Sequence, residues 1–439
     1  MRFSKRTLKY LALTVSAASA LTLMAGCSNG SANNADSGKP VQIEFWYGLG
    51  SGAGKQMQQM IADFNKSQKQ VVVKGVQQAD YPTTWQKVQA GLAAHTAPAV
   101  FLAQSNTIQA FGGSKGVLRD LTPMVNQASF NKADFLPVFT KDDQIKGDTY
   151  AVPAYGTTQI EYYNEKVLKK AGVDPKTAYS TWQNLATASK EIKEKAGVPN
   201  GHMIMWGPDN LTDMALSNGG QFLTAGGKKV AINSKAWVES WEFARQQLFD
   251  TKNMSTISGG QGWTYWYKTI DTVMHDQAGS YTGSSGDRAN LDFSYINALP
   301  QPGFNNNPAK PQAQALNMAI PKSATDAQAK AAFKWIEYFT NKERQAQWSE
   351  KIGYVPVRKS VSEDASYKKF VTANPYANVA FEQAQNASPE FIDPTGGKIL
   401  AALQKAADQV EIQNVPAKKA LDEAAKTAQQ ALDQSLASK

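Results

Sequence analysis

Few residues in this chain are spaced for covalent chemistry. Gly48-Leu49-Gly50-Ser51-Gly52-Ala53 follows a strand-like run and precedes a helical one. That is the setting of a dinucleotide-binding turn, whose glycines let backbone N–H groups approach a pyrophosphate. The pattern also needs an acidic residue at the end of the second strand, and Lys74-Gly75-Val76 stands there instead. Gly54-Lys55 is followed by Gln56, so the magnesium-binding Ser or Thr of a P-loop is missing. His95, His202 and His275 are isolated, without the paired spacing of a zinc protease helix. Ser366-Tyr367-Lys368-Lys369 matches the Ser-x-x-Lys of cell-wall serine enzymes, but Ser-Asp-Asn and Lys-Thr-Gly are absent. No catalytic residue, cofactor or metal site is expected. An exported carbohydrate-active enzyme would need two carboxylates about 5–10 Å apart, a pairing that spacing alone does not reveal.

What remains is chemistry of recognition. A sugar offers hydroxyls and apolar C–H faces, so a site for one pairs aromatic plates with short polar side chains. The chain has 10 Trp and 16 Tyr. Trp85, Trp182, Trp237, Trp241, Trp335 and Trp348 fall on helical stripes and are expected in cores. Trp46, Tyr47, Tyr81, Tyr155, Trp206, Tyr281 and Tyr354 sit at strand ends or in loops, where a ring can face a cleft. The polar candidates are Gln104-Ser105-Asn106, Thr157-Thr158, Ser284-Ser285 and Asn317.

The N-terminus bears on the compartment. Arg2, Lys5, Arg6 and Lys9 precede a short apolar stretch, 11–25, which reads as a secretory signal over 1–26. It ends in Leu23-Met24-Ala25-Gly26-Cys27, which resembles the bacterial lipobox, and Cys27 is the single cysteine. Lipidation at Cys27 is expected, with 27–40 as a Ser/Asn/Gly-rich tether. No intrachain disulfide is possible. The net charge of +9 includes the four leader cations, which leaves +5 on the mature chain. Those charges are spread over lysine-rich helices without interleaved aromatics, a pattern that does not suit nucleic acid.

Elements must position these residues. Val41, Ile43 and Phe45 alternate as a strand, and Met57, Met60, Ile61 and Phe64 form a helical stripe. A second strand at 71–76, a helix opened by Tyr81-Pro82 and a third strand at 99–102 complete a βαβαβ order. That order predicts a parallel, doubly wound sheet with ligands at the carboxyl ends of its strands. A strand at 159–164, a helix capped by Thr181 and a helix carrying Trp237 and Trp241 predict a second lobe from about Tyr155. Two amphipathic helices separated by Pro416 end the chain. About 400 residues beyond the tether suit two lobes better than one core.

Four stretches carry a resemblance along the mature chain. They are Ile43-Glu44-Phe45-Trp46-Tyr47, Gln89 to Ala93 with Ala97-Pro98-Ala99-Val100, Tyr150-Ala151-Val152-Pro153 with Tyr162-Tyr163-Asn164 and Trp182 to Leu185, and Ile352-Gly353-Tyr354-Val355-Pro356. In this order the sequence resembles the extracellular solute-binding proteins of carbohydrate ABC importers, in the branch of glycerol-3-phosphate-binding and maltose-type receptors. The resemblance implies a two-lobe periplasmic-binding-protein-like (type II) α/β fold with a hinge and an inter-lobe cleft. It places 41–154 plus 272–321 in one lobe and 155–271 plus 322–439 in the other.

The same resemblance implies a monomeric receptor, not an enzyme, anchored to the outer face of the cell membrane through lipid alone. Its partners would be a small sugar-type ligand, ABC permease subunits and their ATPase. Tyr81, Ser105, Thr157, Ser285 and Tyr354 correspond to ligand-contacting positions in relatives. Where glycerol-3-phosphate receptors carry an arginine near the C-terminus, this chain has a glycine of the Gly396-Gly397 pair, followed by Lys398. Ser105 also replaces an acidic partner. These departures favour a neutral mono- or oligosaccharide, with glycerol-3-phosphate or a glycerophosphodiester as the alternative.

Overall fold

The alternation of the first segment becomes a strand with one buried face. In this computed structural model, which describes residues 39–113 and 116–438, Val41–Tyr47 (β1) buries Ile43, Phe45 and Tyr47. Ser51–Ser67 (α1) buries the expected stripe of Met57, Met60, Ile61 and Phe64. Val71–Gln77 (β2) and Val100–Gln104 (β3) both pair with β1 in parallel. Between them runs Tyr81–Ala94 (α2), whose start is held by the Asp80 carboxylate accepting from the Thr83 N–H at 2.7 Å. Ser105–Phe111 (α3) follows β3 directly.

Gln144–Ile145 (β4) and Asp148–Thr149 (β5) form a small separate ladder. The organising strand is Ala151–Asn164 (β6). Asn200–Met203 (β7), Met254–Ser255 (β8), Ala278–Ser284 (β9), Ile296–Pro300 (β10), Gln312–Ala319 (β11) and Ser388–Pro389 (β12) complete the main sheet. Its order is β2-β1-β3-β11-β6-β9-β7-β8, with β10 on β6 and β12 on β11. Residues 151–158 of β6 pair with β11, whereas 159–164 pair with β9 and β10. One continuous strand therefore serves both α/β lobes, and the change of partner falls at Thr158 and Gln159.

The strand pairing departs from the expected lobe boundaries in two places. Residues 278–284 and 296–300, read with the first lobe, pair with the second half of β6, and β9 also pairs with β7. The helix Asp326–Phe339, read with the second lobe, instead packs on β1, with Trp335 against Phe45 at 5.7 Å.

Packing accounts for the helical tryptophans. Trp182, Trp237, Trp241, Trp335 and Trp348 are fully buried, and Trp85 lies partly buried against Phe101 and Phe111. The two final helices, Lys398–Glu411 and Ala417–Ala437, share a core with Trp237 and Trp241. No helix among the described residues is long and apolar enough to cross a membrane. The leader and Cys27 lie outside the described residues.

Candidate ligand-binding cleft

Strand ends converge on a cleft of about 140 Å³. That is roughly ten times the room a single water needs, so an organic molecule fits rather than a few waters. Gln104 comes from the end of β3, Leu49 and Gly50 from the exit of β1, and Gln314 and Leu316 from β11. Thr157 and Gln159 reach it from β6, where alternation sends Thr158 and Ile160 to the buried side. Ser284 comes from the end of β9, and the turn Ser285–Asn290 after it brings in Gly286, Asp287 and Asn290. Thr157 Oγ1 lies 2.9 Å from Ser284 Oγ, which joins the two strands at the floor.

One wall is aromatic. After the turn at Gly259-Gly260 and Gly262, the chain reads Trp263-Thr264-Tyr265-Trp266-Tyr267 and enters the helix Thr264–Met274. Four rings in five residues span more of a helix surface than a single buried stripe, so they cannot all face the core. Trp266 is buried with Ile270 and Val273, while Trp263, Tyr265 and Tyr267 remain partly exposed along the cleft. Opposite them, Tyr81 packs edge-on to Trp263 and its hydroxyl lies 3.1 Å from that of Tyr155. Tyr155 stacks on Tyr354 at 4.3 Å, and Tyr354 lies so close to Gly286 that a Cβ there would come within 2.3 Å of the ring.

The charges in the cleft are one-sided. Its lining includes Asp209 and Asp287 but no lysine, arginine or histidine. Burial pushes the Asp287 carboxyl up to about 7, against the opposing pull of the Trp266 indole N–H at 2.8 Å and the Tyr281 hydroxyl at 3.2 Å. The neighbouring Arg288 points away, donating to the carbonyls of Ser349 at 2.7 Å and Ala377 at 3.1 Å. Lys398 is exposed at the start of the helix Lys398–Glu411 and is not part of the lining.

Of the expected residues, Tyr81, Thr157, Ser284 and Tyr354 line the cleft. Ser285 and Tyr281 lie buried just beneath it, the first 3.4 Å from Thr157 Oγ1 and the second against Asp287. Trp206 stands at its edge, edge-on to Tyr265 at 4.9 Å. The remaining five do not line it. Tyr47 is buried in the core beside Phe45. Strand alternation turns Trp46 to the other face, where it packs near Val88 and Phe101 and donates to Glu44. Ser105 and Asn317 bond to each other at 3.2 Å in a buried group, and Asn106 serves the backbone of Phe391 and Asp393. The first turn of α3 folds Ser105 and Asn106 behind the strand end, and Asn317 meets Ser105 there from β11.

Sequence reasoning passed over Trp263, Tyr265, Trp266, Tyr267, Asp209, Asp287, Gln159 and Gln314. The glycine-rich turn before a run of four aromatics was the available signal. No comparable pattern marks the others.

A group with the residue types of a hydrolase does exist, but it is sealed. His202 Nδ1 lies 2.8 Å from Ser280 Oγ and 3.2 Å from Glu161 Oε1, and Thr282 donates to Glu161 at 2.6 Å. All four residues are 0% exposed, so no substrate reaches them. Ser366 bonds Asp364 at a surface helix start, away from the cleft.

Comparison with known proteins places this geometry. The family model described as "Bacterial extracellular solute-binding protein" matches residues 59–376. The sn-glycerol-3-phosphate-binding periplasmic protein UgpB of Pectobacterium atrosepticum is 24% identical over 394 residues, covering 86% of each chain. Among solved structures, the GacH receptor of Streptomyces glaucescens, solved unliganded and with acarbose, superposes with a TM-score of 0.79 at 20% identity. That superposition covers 90% of this chain and 99% of the receptor. UgpB of Mycobacterium tuberculosis in complex with glycerophosphocholine gives a TM-score of 0.77 at 22% identity, again covering 90% of this chain and 99% of that one. These structural likenesses establish the two-lobe fold.

Proposed function

The chain belongs to the bacterial extracellular solute-binding protein family, and from that premise we propose that it is the receptor of an ABC importer for a sugar or oligosaccharide. It captures the ligand by closure of the two lobes, performs no chemistry on it and delivers it to the membrane permease and its ATPase. Lipidation at Cys27 holds the monomer at the outer face of the membrane.

The observation that carries this reading is the lining of the cleft. Aromatic rings stand with Thr157, Ser284, Gln159, Gln314 and Asn290, and no cationic side chain is among them. Rings and short polar groups suit C–H faces and hydroxyls. A phosphate ester needs charge-assisted donors such as a bidentate arginine, and none faces this space. Several relatives are named for glycerol-3-phosphate, which makes a phosphorylated glycerol the second reading, and the acidic lining speaks against it.

Mass spectrometry of a bound oligosaccharide after prolonged incubation tests the absence of chemistry. Recovery of the ligand at unchanged mass is the expected result. Shortened or water-added products would establish an enzyme instead.

A further inference from the structure

One end of the cleft carries more negative character than hydroxyl groups require. Rings meet there at near right angles in an unbroken series. Trp206 and Tyr265 are 4.9 Å apart at 82°, and Tyr265 and Trp266 are 6.2 Å apart at 73°. Trp266 and Trp263 follow at 5.9 Å and 77°, then Trp263 and Tyr81 at 5.6 Å and 73°. Rings set edge to face turn their electron-rich faces in different directions, and Tyr81, Trp263 and Tyr265 of this series line the cleft, where a ring face attracts a cation.

Carboxylates gather around the same rings. Asp209 lines the cleft at the start of the helix Pro208–Ser217. Asp408 accepts from the Trp206 indole N–H at 2.9 Å. Glu411 accepts the Gly207 N–H on Oε2 at 2.9 Å, while its Oε1 has no partner although the residue is only 2% exposed. Burial most of all, and after it the negative charges of Asp209, Asp80 and Glu411, push the pKa of the Tyr265 hydroxyl up and so hold it protonated. Glu411 does not line the cleft, and burial pushes its carboxyl well up, so the carboxylate that faces the ligand space at this end is that of Asp209. Among the described residues no group of His, Cys, Asp and Glu is placed to hold a metal ion. The cation that fits is therefore organic.

We propose that the ligand carries a cationic nitrogen, an amine or a quaternary ammonium, which docks among Trp206, Tyr265 and Trp263 beside Asp209. This rests on the reading of the cleft as the ligand site. It narrows the ligand class from sugars in general to those bearing positive charge, or to small ammonium compounds of similar size.

Calorimetry on the full chain compares a glucosamine disaccharide with its N-acetylated counterpart, and choline with the carbon isostere in which C replaces N. Each cation should bind at least about tenfold more tightly than its uncharged partner. The tighter of the two cations tells a sugar-borne amine from a quaternary ammonium. Asp209→Asn should reduce that preference to about threefold or less, with an unchanged unfolding temperature showing that the exposed residue is not needed for folding. Equal or tighter binding of the uncharged partners overturns the proposal, and so does failure of all four to bind. If an N-acetylated sugar binds at least as tightly as the amine and Trp263→Ala weakens it about tenfold or more, the cleft reading stands and only the cation is lost. Binding indifferent to Trp263→Ala would remove the cleft reading itself.

Discussion

The indole N–H of Trp263 donates to the backbone carbonyl of Gly48 at 3.0 Å, joining the aromatic wall to the exit of the first strand. Around this bond the β1–α1 turn meets the far side of the cleft. Ser51 Oγ lies 2.6 Å from Asn290 Oδ1, and the Gly52 N–H donates to the same oxygen at 3.2 Å. A Cβ on Gly52 would stand 2.6 Å from that of Ala289. The glycine-rich turn that matched a nucleotide pattern is a surface on which two parts of the molecule approach closely.

Gly52→Val should hold that surface apart. The expected outcome is a larger radius of gyration in scattering and an affinity lower by about tenfold or more. The wild-type chain should contract on saturation with ligand. A variant that contracts as the wild type does would show that closure does not run through this turn.

The aromatic residues should separate by position. Trp263→Ala and Tyr265→Ala each remove a ring from the cleft and should cost about 1–3 kcal/mol of binding. Trp46→Ala should leave affinity unchanged, because that ring packs on the apolar cluster that includes Val88 and Phe101, outside the cleft. Titration of the three variants with one ligand orders them. Loss of binding in Trp46→Ala alone would contradict the assignment.

Trp335→Ala tests the core that supports the cleft. The ring is 0% exposed and packs against Phe45, Phe64 and Phe339. Denaturant unfolding should show a loss of about 3–5 kcal/mol. A loss below about 1 kcal/mol would mean that the helix Asp326–Phe339 does not anchor β1 as described.

Asp287 makes stability depend on pH. Its carboxyl is pushed up to about 7 from an ordinary value of 3.8, so the folded state holds a proton that the unfolded chain releases. The associated stability is complete below about pH 4 and is lost as pH rises through about 7, a decline on the order of 2–4 kcal/mol. Asp287→Asn mimics the protonated acid toward Trp266 and Tyr281 and should flatten that part of the profile. Unfolding midpoints across this window provide the check. An equally steep decline in the variant would assign it to other groups.

Much of the fold was legible because periodicity reports burial directly. Ile43, Phe45 and Tyr47 alternate, and Met57, Met60, Ile61 and Phe64 recur at helical spacing, so β1 and α1 follow from local chemistry. The destination of β9 was not legible, because its pairing with β6 depends on contacts more than a hundred residues away. The site was half legible for a similar reason. Tyr81, Thr157, Ser284 and Tyr354 sit at strand ends or turns that topology directs into the cleft. Asp209 and Asp287 follow turns whose direction is set by packing, and nothing in their neighbours' types announces a carboxylate facing a ligand.

Cys27→Ala should move the protein from the membrane fraction to the soluble exported fraction. Fractionation followed by a carbonate wash provides the test. A variant that stays with membranes would place the anchor elsewhere.

The central claim is that the cleft takes a ligand without net negative charge. Calorimetry should compare a sugar or amino-sugar oligosaccharide with glycerol-3-phosphate, at low and high salt, on the wild type and on Trp263→Ala. The account predicts saccharide binding in the micromolar range or tighter, on the order of −8 kcal/mol, weakened by about 1–3 kcal/mol in Trp263→Ala, with no measurable heat from glycerol-3-phosphate. Tight, salt-weakened binding of the phosphate ester with no saccharide binding would contradict it.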